Sequence, residues 1–168
     1  CAVHRLDRDT TGCLLIARTA AARDRMVSEF RAGRVHKRYR AIVIGRWTSP
    51  RAEIRTPLEG KPAITRVRLI SATDTASHLE LEIETGRTHQ IRRHLAAAGH
   101  PVAGDPLYGG GRLIGPELRA VPRQMLHAEQ LQFSGCSGQS VKVVAPLPAD
   151  FRATLHRLGL AAHDRGRA

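Results

Sequence analysis

Cysteine is scarce here: Cys1, Cys13 and Cys136 are the only three, an odd number with no CxxC pair. That excludes a disulfide framework and points to a reducing, cytoplasmic setting. Long apolar runs are also missing. No segment approaches the roughly 20 apolar residues of a membrane span, so no membrane partner is expected. Internal repeats and separate linkers are absent, which at 168 residues leaves one domain as the expectation. Acidic residues are few, 15 against 27 basic, and the formal net charge is +12.

What is present in quantity is arginine, 24 of the 27 basic residues, spread over the whole length. A guanidinium grips phosphate through two parallel donors and stacks on bases, so this excess points to nucleic acid. A solvated basic face, or a compositional bias toward arginine, gives the same charge. Charge alone does not choose between them.

The stretch 4–12, His-Arg-Leu-Asp-Arg-Asp-Thr-Thr-Gly, sets Asp7 between Arg5 and Arg8. Neighbouring positive charge favours the carboxylate, and an ionised carboxylate can serve as nucleophile or base. Thr10, Thr11 and Gly12 form a turn signal leading into the apolar run 13–17, expected to be a buried strand. The same residues also fit a plain turn with Asp7 or Asp9 bonding the local backbone.

Thr19 is placed to cap a helix over 20–32 that shows Ala22, Met26, Val27 and Phe30 on one face and ends at Gly33. A strand follows to Gly45, with Tyr39 on the face of Ala41 and Val43. Tyr39 fits either a core ring or, amid Lys37, Arg38 and Arg40, a base-stacking ring beside a phosphate. Strands are expected at 52–58 and 63–70, joined by the turn 59–62. The alternating run 78–85 is the clearest strand, with Glu80, Glu82 and Glu84 assigned to a solvent face.

Thr88 is expected to cap a helix ending at Gly99, with Ile91, Leu95 and Ala98 forming its apolar face. Arg92 then lies at the edge of that face, able to reach a partly buried site, while His89 and Arg93 point away. A metal-dependent hydrolase built on His89, His94, His100 and Asp105 is one alternative. Its histidines lack the i, i+4 spacing of a helical zinc pair and sit in positive charge. The loop 100–111 is rich in proline and glycine, and Asp105 within it carries a structural expectation. A hairpin over 125–133 and 140–145, a helix over 149–158 with Phe151, Leu155 and Leu158 inward, and a frayed tail over 159–168 complete the chain.

Taken together the segments resemble the RluA-type pseudouridine synthases. The resemblance rests on His4-Arg5-Leu6-Asp7 with Asp9, Thr10 and Gly12; Lys37-Arg38-Tyr39; the run 86–92 with His94 and Leu95; Gly99-His100-Pro101 with 104–109; and Arg123-Gln124 with Leu126-His127-Ala128. It implies an α+β catalytic domain over 1–158, built on a central mixed, largely antiparallel sheet with flanking helices. It further implies isomerisation of uridine to pseudouridine in ribosomal or transfer RNA without cofactor or metal. By the same resemblance Asp7, Tyr39 and Arg92 are the catalytic residues, and Arg5, Leu6, Lys37, Arg87 and His89 contact RNA. Thr11 stands where serine is usual, and Arg93 where relatives often carry an aliphatic residue. The chain opens with the aspartate loop already in progress, so it is expected to be a catalytic-domain fragment lacking the family's front. The alternative expectation is a catalytically incomplete RNA-binding piece.

Overall fold

Polar and apolar residues alternate through most of the chain's strands, and that period of two gives the molecule a sheet with two unlike faces. The computed structural model describes residues 1–109, 115–135 and 138–162. In chain order the elements are β1 (Thr11–Gly12), α1 (Ala20–Arg31), β2 (His36–Ile44), β3 (Arg51–Ile54), β4 (Thr65–Ala72) and β5 (Ala76–Ile83), followed by α2 (Gln90–Ala97), α3 (Pro116–Arg119), β6 (Leu126–Ser134), β7 (Ser140–Val144) and α4 (Ala149–Arg157). Among the described residues the strands form one sheet in the order β1-β6-β2-β5-β4-β3, with β7 also paired to β6. Among these described strands β1 and β6 are the one parallel pair. This is the mixed, largely antiparallel sheet with flanking helices that the family resemblance implied.

On one face Ala41, Val43, Leu79, Leu81 and Leu126 meet Ile91 and Leu95 of α2. On the other, Ile42 and Ile44 meet Phe151 and Leu155 of α4 and Leu118 of α3. Burying each such side chain contributes about 1.5–3 kcal/mol, so the helices hold to the sheet through a few large residues. Helix α1 docks at the margin through Met26, against Cys13, Val35 and Leu131. Its cap is as expected, the Thr19 hydroxyl oxygen accepting the Ala22 N–H at 3.2 Å.

Several expectations need correction. The run 13–17 is not a buried strand: Cys13 and Ala17 are buried, but Leu14 and Ile16 are 48% and 63% exposed. The segment borders the sheet beyond the short β1, so only alternate residues find a core. Strand β3 stops at Ile54, ahead of Pro57, which has no N–H for a ladder. Leu58 and Lys61 instead close a tight turn over Glu59 and Gly60, both left-handed. Glu80 is not on a solvent face. It is buried, bonded to Arg68 at 2.9 Å and within 3.7 Å of Arg38 and Arg40. Those two arginines both donate to Glu129 of β6 at 3.0 Å. Residues 159–162, expected in the frayed tail, are docked. Leu160 is buried, His78 Nδ1 donates to the Ala161 carbonyl at 2.8 Å, and the Ala161 N–H donates to Ser71 Oγ at 2.9 Å. Positions 163–168 of that tail, 110 and 111 of the proline-glycine loop, and Cys136 in the hairpin turn lie outside the described residues.

Candidate active site

The loop carrying Asp7 is shaped by a turn and fastened from the far end of the chain. The Thr10 N–H donates to the Asp7 carbonyl at 3.0 Å, and Asp9 sits at φ 65°. Gln124 Nε2 then donates to the Arg8 carbonyl at 2.9 Å and to Thr10 Oγ1 at 2.6 Å. Arg123, held by Asp150, donates to the Asp9 carbonyl at 3.1 Å. Thr11 keeps the hydroxyl expected of its position, donating it to His127 Nδ1 at 2.8 Å. Gly12 is required as glycine: its φ is 117°, and a Cβ there would lie 2.2 Å from the Ala128 carbonyl oxygen.

At the loop's other end the Leu15 N–H donates to His4 Nε2 at 2.9 Å, and the His4 ring stacks on Phe30 with centroids 4.7 Å apart. An amide N–H can only donate, so Nε2 must be unprotonated. Burial holds the His4 pKa below its ordinary value, with the Lys37 charge adding to this and the backbone of Arg5 opposing it. Burial likewise lowers His127. The unfolded chain therefore binds these protons more readily than the folded one, and stability rises with pH. The contribution is complete above the unfolded value of about 6.5 and is lost as pH falls through the lower folded values. The melting temperature is expected to fall between about pH 7 and pH 5, and to fall less steeply in His4→Gln. An equal fall in both proteins shows that His4 is not one of the titrating groups.

Helix α2 supplies the basic side of the site, but Thr88 does not cap it. Its N-cap is His89, in the left-handed conformation with φ 52°. Gln90 organises the turn instead: its amide oxygen accepts from the Thr85 hydroxyl at 2.7 Å and the Arg87 N–H at 3.1 Å, while its Nε2 donates to the Ile64 carbonyl at 2.9 Å. The left-handed step turns His89 inward, contrary to the outward placement expected from a regular helix, and brings its Nε2 to 4.0 Å from Asp7 Oδ1. Arg93 does point outward, to Glu59.

Arg92 lies at the core edge, as its helical position predicted. Its Nε and Nη2 grip both oxygens of Asp105 at 2.7 and 2.8 Å, and its Nη1 reaches Asp7 Oδ2 at 3.4 Å. The Asp105 side chain is fully buried and also accepts the N–H groups of Leu107 and Tyr108. Burial opposes its ionisation, but Arg92 and those two amides outweigh the cost and hold the carboxyl below its usual range. The two bonds to Asp105, and more weakly Asp7, raise Arg92 in turn. The guanidinium also lies 5.1 Å from the centre of the Tyr108 ring, whose hydroxyl is 3.1 Å from His89 Nδ1. Asp105 fixes the arginine, and the arginine touches Asp7 with a single long contact. The Asp7 carboxylate thus has a cation beside it and lone pairs to spare.

That cation is not the one read from the sequence. The Arg8 side chain is 97% exposed and lies 4.0 Å from Asp9, while Arg5 is exposed at the mouth of the cleft.

The cleft is open to solvent, about 640 Å³, and its lining includes Leu6, Asp7, Tyr39, Arg87, His89 and Ile91. Tyr39 reaches it from the face of β2 that also carries Ala41 and Val43, opposite a bulge in the paired β6. Burial, then the Asp7 charge, pushes the Tyr39 phenol up to about 12. Arg38 and Arg40 leave β2 on the opposite face, so they do not flank the ring in space. Lys37 does share the ring's face but sits in a neighbouring groove, buried, with Nζ 3.5 Å from the Thr85 carbonyl. Of the eight residues named from the sequence, six thus line the cleft, Arg92 stands behind Asp7, and Lys37 lies next door. Asp105, Tyr108, Arg123 and Gln124 are the positioning residues that the sequence reading did not assign. The one usable signal was Arg92 itself, since a guanidinium at a core edge needs a paired carboxylate.

The histidines of the metal alternative are dispersed. His94 donates through Nε2 to the Thr56 carbonyl and accepts the Thr65 hydroxyl, while His100 donates to the Ile44 carbonyl. Among the described residues no three His, Cys, Asp or Glu side chains gather as a metal site, and no helix is long and apolar enough to cross a membrane.

Comparison with known proteins bears on the chain and its fold. A family model described as RNA pseudouridylate synthase matches residues 1–97. The ribosomal large subunit pseudouridine synthase D of Xanthomonas campestris is 38% identical over 93% of this chain and 54% of its own length. An uncharacterized RNA pseudouridine synthase of Chloroflexus aurantiacus is 42% identical over 93% of this chain and 52% of its own. The chain therefore spans about half the length of the curated relatives it matches. Among solved structures, human RNA pseudouridylate synthase domain containing 4 superposes with a TM-score of 0.81 at 25% identity, covering 96% of this chain and 77% of that one. Human RNA pseudouridylate synthase domain containing 1 gives 0.74 at 30% identity, covering 91% and 72%. With the family model matching more than half of it and its fold matching solved members, the chain belongs to the RluA-type RNA pseudouridylate synthase family.

Proposed function

We propose that this chain isomerises uridine to pseudouridine in RNA, in the cytoplasm and without metal or cofactor, and that its substrate is large-subunit ribosomal RNA, as the names of its bacterial relatives would have it. The observation that carries the reading is the Asp7 carboxylate, open to the cleft and only loosely held by an arginine that Asp105 has already fixed.

Reaching a base for such chemistry requires lifting it out of its stack, and Arg5 and Leu6 at the mouth are placed to fill the gap left behind. Asp7 attacks C1′ or removes a proton from C2′, and the N1–C1′ bond breaks. The uracil turns within the cleft and C5 bonds to C1′, displacing the Asp7 carboxylate on the first route or with Asp7 returning its proton to C2′ on the second; the C5 proton then leaves to solvent while N1 gains one. The product is thus an isomer. A phenol with a pKa near 12 holds almost no phenolate at neutral pH, so Tyr39 serves as the wall against the uracil and relays a proton only in concert with the C5 proton. Arg92 keeps Asp7 aligned throughout, and Arg87 and His89 meet the RNA at the rim.

The test is release of tritium from large-subunit RNA transcribed with C5-tritiated uridine. The expected result is tritium in water matched mole for mole by pseudouridine in the digested RNA. A folded chain that binds the RNA but releases nothing overturns the proposal in favour of a binding fragment.

A further inference from the structure

Beside the active cleft runs a second groove, between α1 and the turn from β5 to α2, about 1040 Å³ and open to solvent. The two share a wall made of Arg5, Tyr39, Ile83, Gly86 and Arg87, so a chain lying in one leads into the other. The second groove is cationic: Arg5, Arg31, Lys37 and Arg87 line it against the single carboxylate of Glu84. Glu84 is already paired with Arg66. Among the described residues none of the four cations forms an ion pair with a carboxylate.

Lys37 is the unusual member. Its residue is only 8% exposed, yet the ammonium has one long contact to the Thr85 carbonyl and lies 5.9 Å from the Phe30 ring centre. Burying a charge so thinly partnered costs stability and is tolerated where a ligand supplies the counter-charge. Gly86 puts no side chain beside the ammonium, where a Cβ would stand in van der Waals contact with Nζ at 4.0 Å. An ammonium binds phosphate as a point charge, and the groove's continuity with the cleft dictates which phosphate comes within reach.

We infer that this groove is a second subsite, in which Lys37 receives the backbone phosphate of the nucleotide adjoining the target uridine, with Arg31 at the rim. The inference rests on the RNA reading above and goes beyond it by assigning one phosphate to one side chain outside the active cleft.

The test uses a short single-stranded RNA with a single uridine, in which each phosphate near that uridine is replaced in turn by an uncharged methylphosphonate. Binding is measured for the parent chain and for Lys37→Met, which keeps the buried stem and removes the charge. In the parent, neutralising one linkage next to the uridine weakens binding by about five- to tenfold, the effect of losing one phosphate contact. In Lys37→Met the same linkage has no further effect, while the melting temperature stays level or rises because a poorly partnered buried charge is gone. Arg31→Gln, at an exposed position that cannot disturb the core, loses part of the effect at the same linkage. An equal cost for that linkage in parent and Lys37→Met overturns the subsite while leaving the enzyme reading intact. Failure of the parent to bind the RNA at all overturns both.

Discussion

Asp7→Asn is expected to reduce tritium release by about 10⁴-fold or more, the scale found when a nucleophile or base is removed from a site whose other parts remain. The substitution is nearly isosteric. It keeps the side chain in its place beside Arg92, 3.4 Å from Nη1, and leaves Tyr39, Arg87 and His89 where they line the cleft. It removes the negative charge and with it the ability to bond C1′ or to take a proton from C2′. Affinity for RNA, carried by the cationic rim, is expected to change by less than about threefold, because an interaction made only in the transition state leaves ground-state binding untouched. Single-turnover release and filter binding measured on the same preparation separate the two. Equal losses in both assays show that Asp7 holds RNA instead of reacting with it.

Asp105→Asn is the second large effect, and it acts without touching substrate. The native carboxylate takes two bonds from Arg92 and two from backbone amides in a fully buried position. An asparagine turns one acceptor into a donor facing the guanidinium. Breaking one side of a buried pair costs about 3 kcal/mol or more, which for a chain of this size lowers the melting temperature by about 6–12 °C. The consequence for turnover is separate. Asp7 becomes the one carboxylate left within reach of Arg92, and the loose 3.4 Å contact tightens into a full ion pair that ties up the reactive oxygens. At a temperature where the variant is fully folded, kcat is expected to drop about 10²-fold with KM unchanged, the cost of a misplacement of about 1 Å. A variant that loses stability and keeps its kcat would mean that Arg92 is aligned by something other than Asp105.

What could be read from the sequence was whatever depends on near neighbours. The 78–85 strand showed in its alternation, the cap at Thr19 in residue type, and the position of Arg92 in helical period. The misreadings came from treating adjacency in sequence as adjacency in space. Arg38 and Arg40 bracket Tyr39 in the chain, but a period of two sends them to the other side of the sheet, where they neutralise Glu80 and Glu129. Arg5 and Arg8 bracket Asp7, yet the cation that meets it comes from residue 92. The inward turn of His89 depends on Gln90 spending its side chain on the backbone before the helix, and residue type alone did not announce this. Asp105 gave only a turn signal, because its partner lies 13 residues back on a different element.

The fastening of the Asp7 loop by Arg123 and Gln124 bears on how the molecule comes into being. These contacts join residues 114 to 116 positions apart, and β1 pairs with β6 across a similar distance. Contacts between distant parts of a chain must wait for the loop between them to close, which slows folding. During synthesis Asp7 precedes β6 by more than a hundred residues, so its loop has nothing to close on until β6 has followed. The Asp7 loop therefore stays unassembled on the nascent chain while everything between it and β6 is being made.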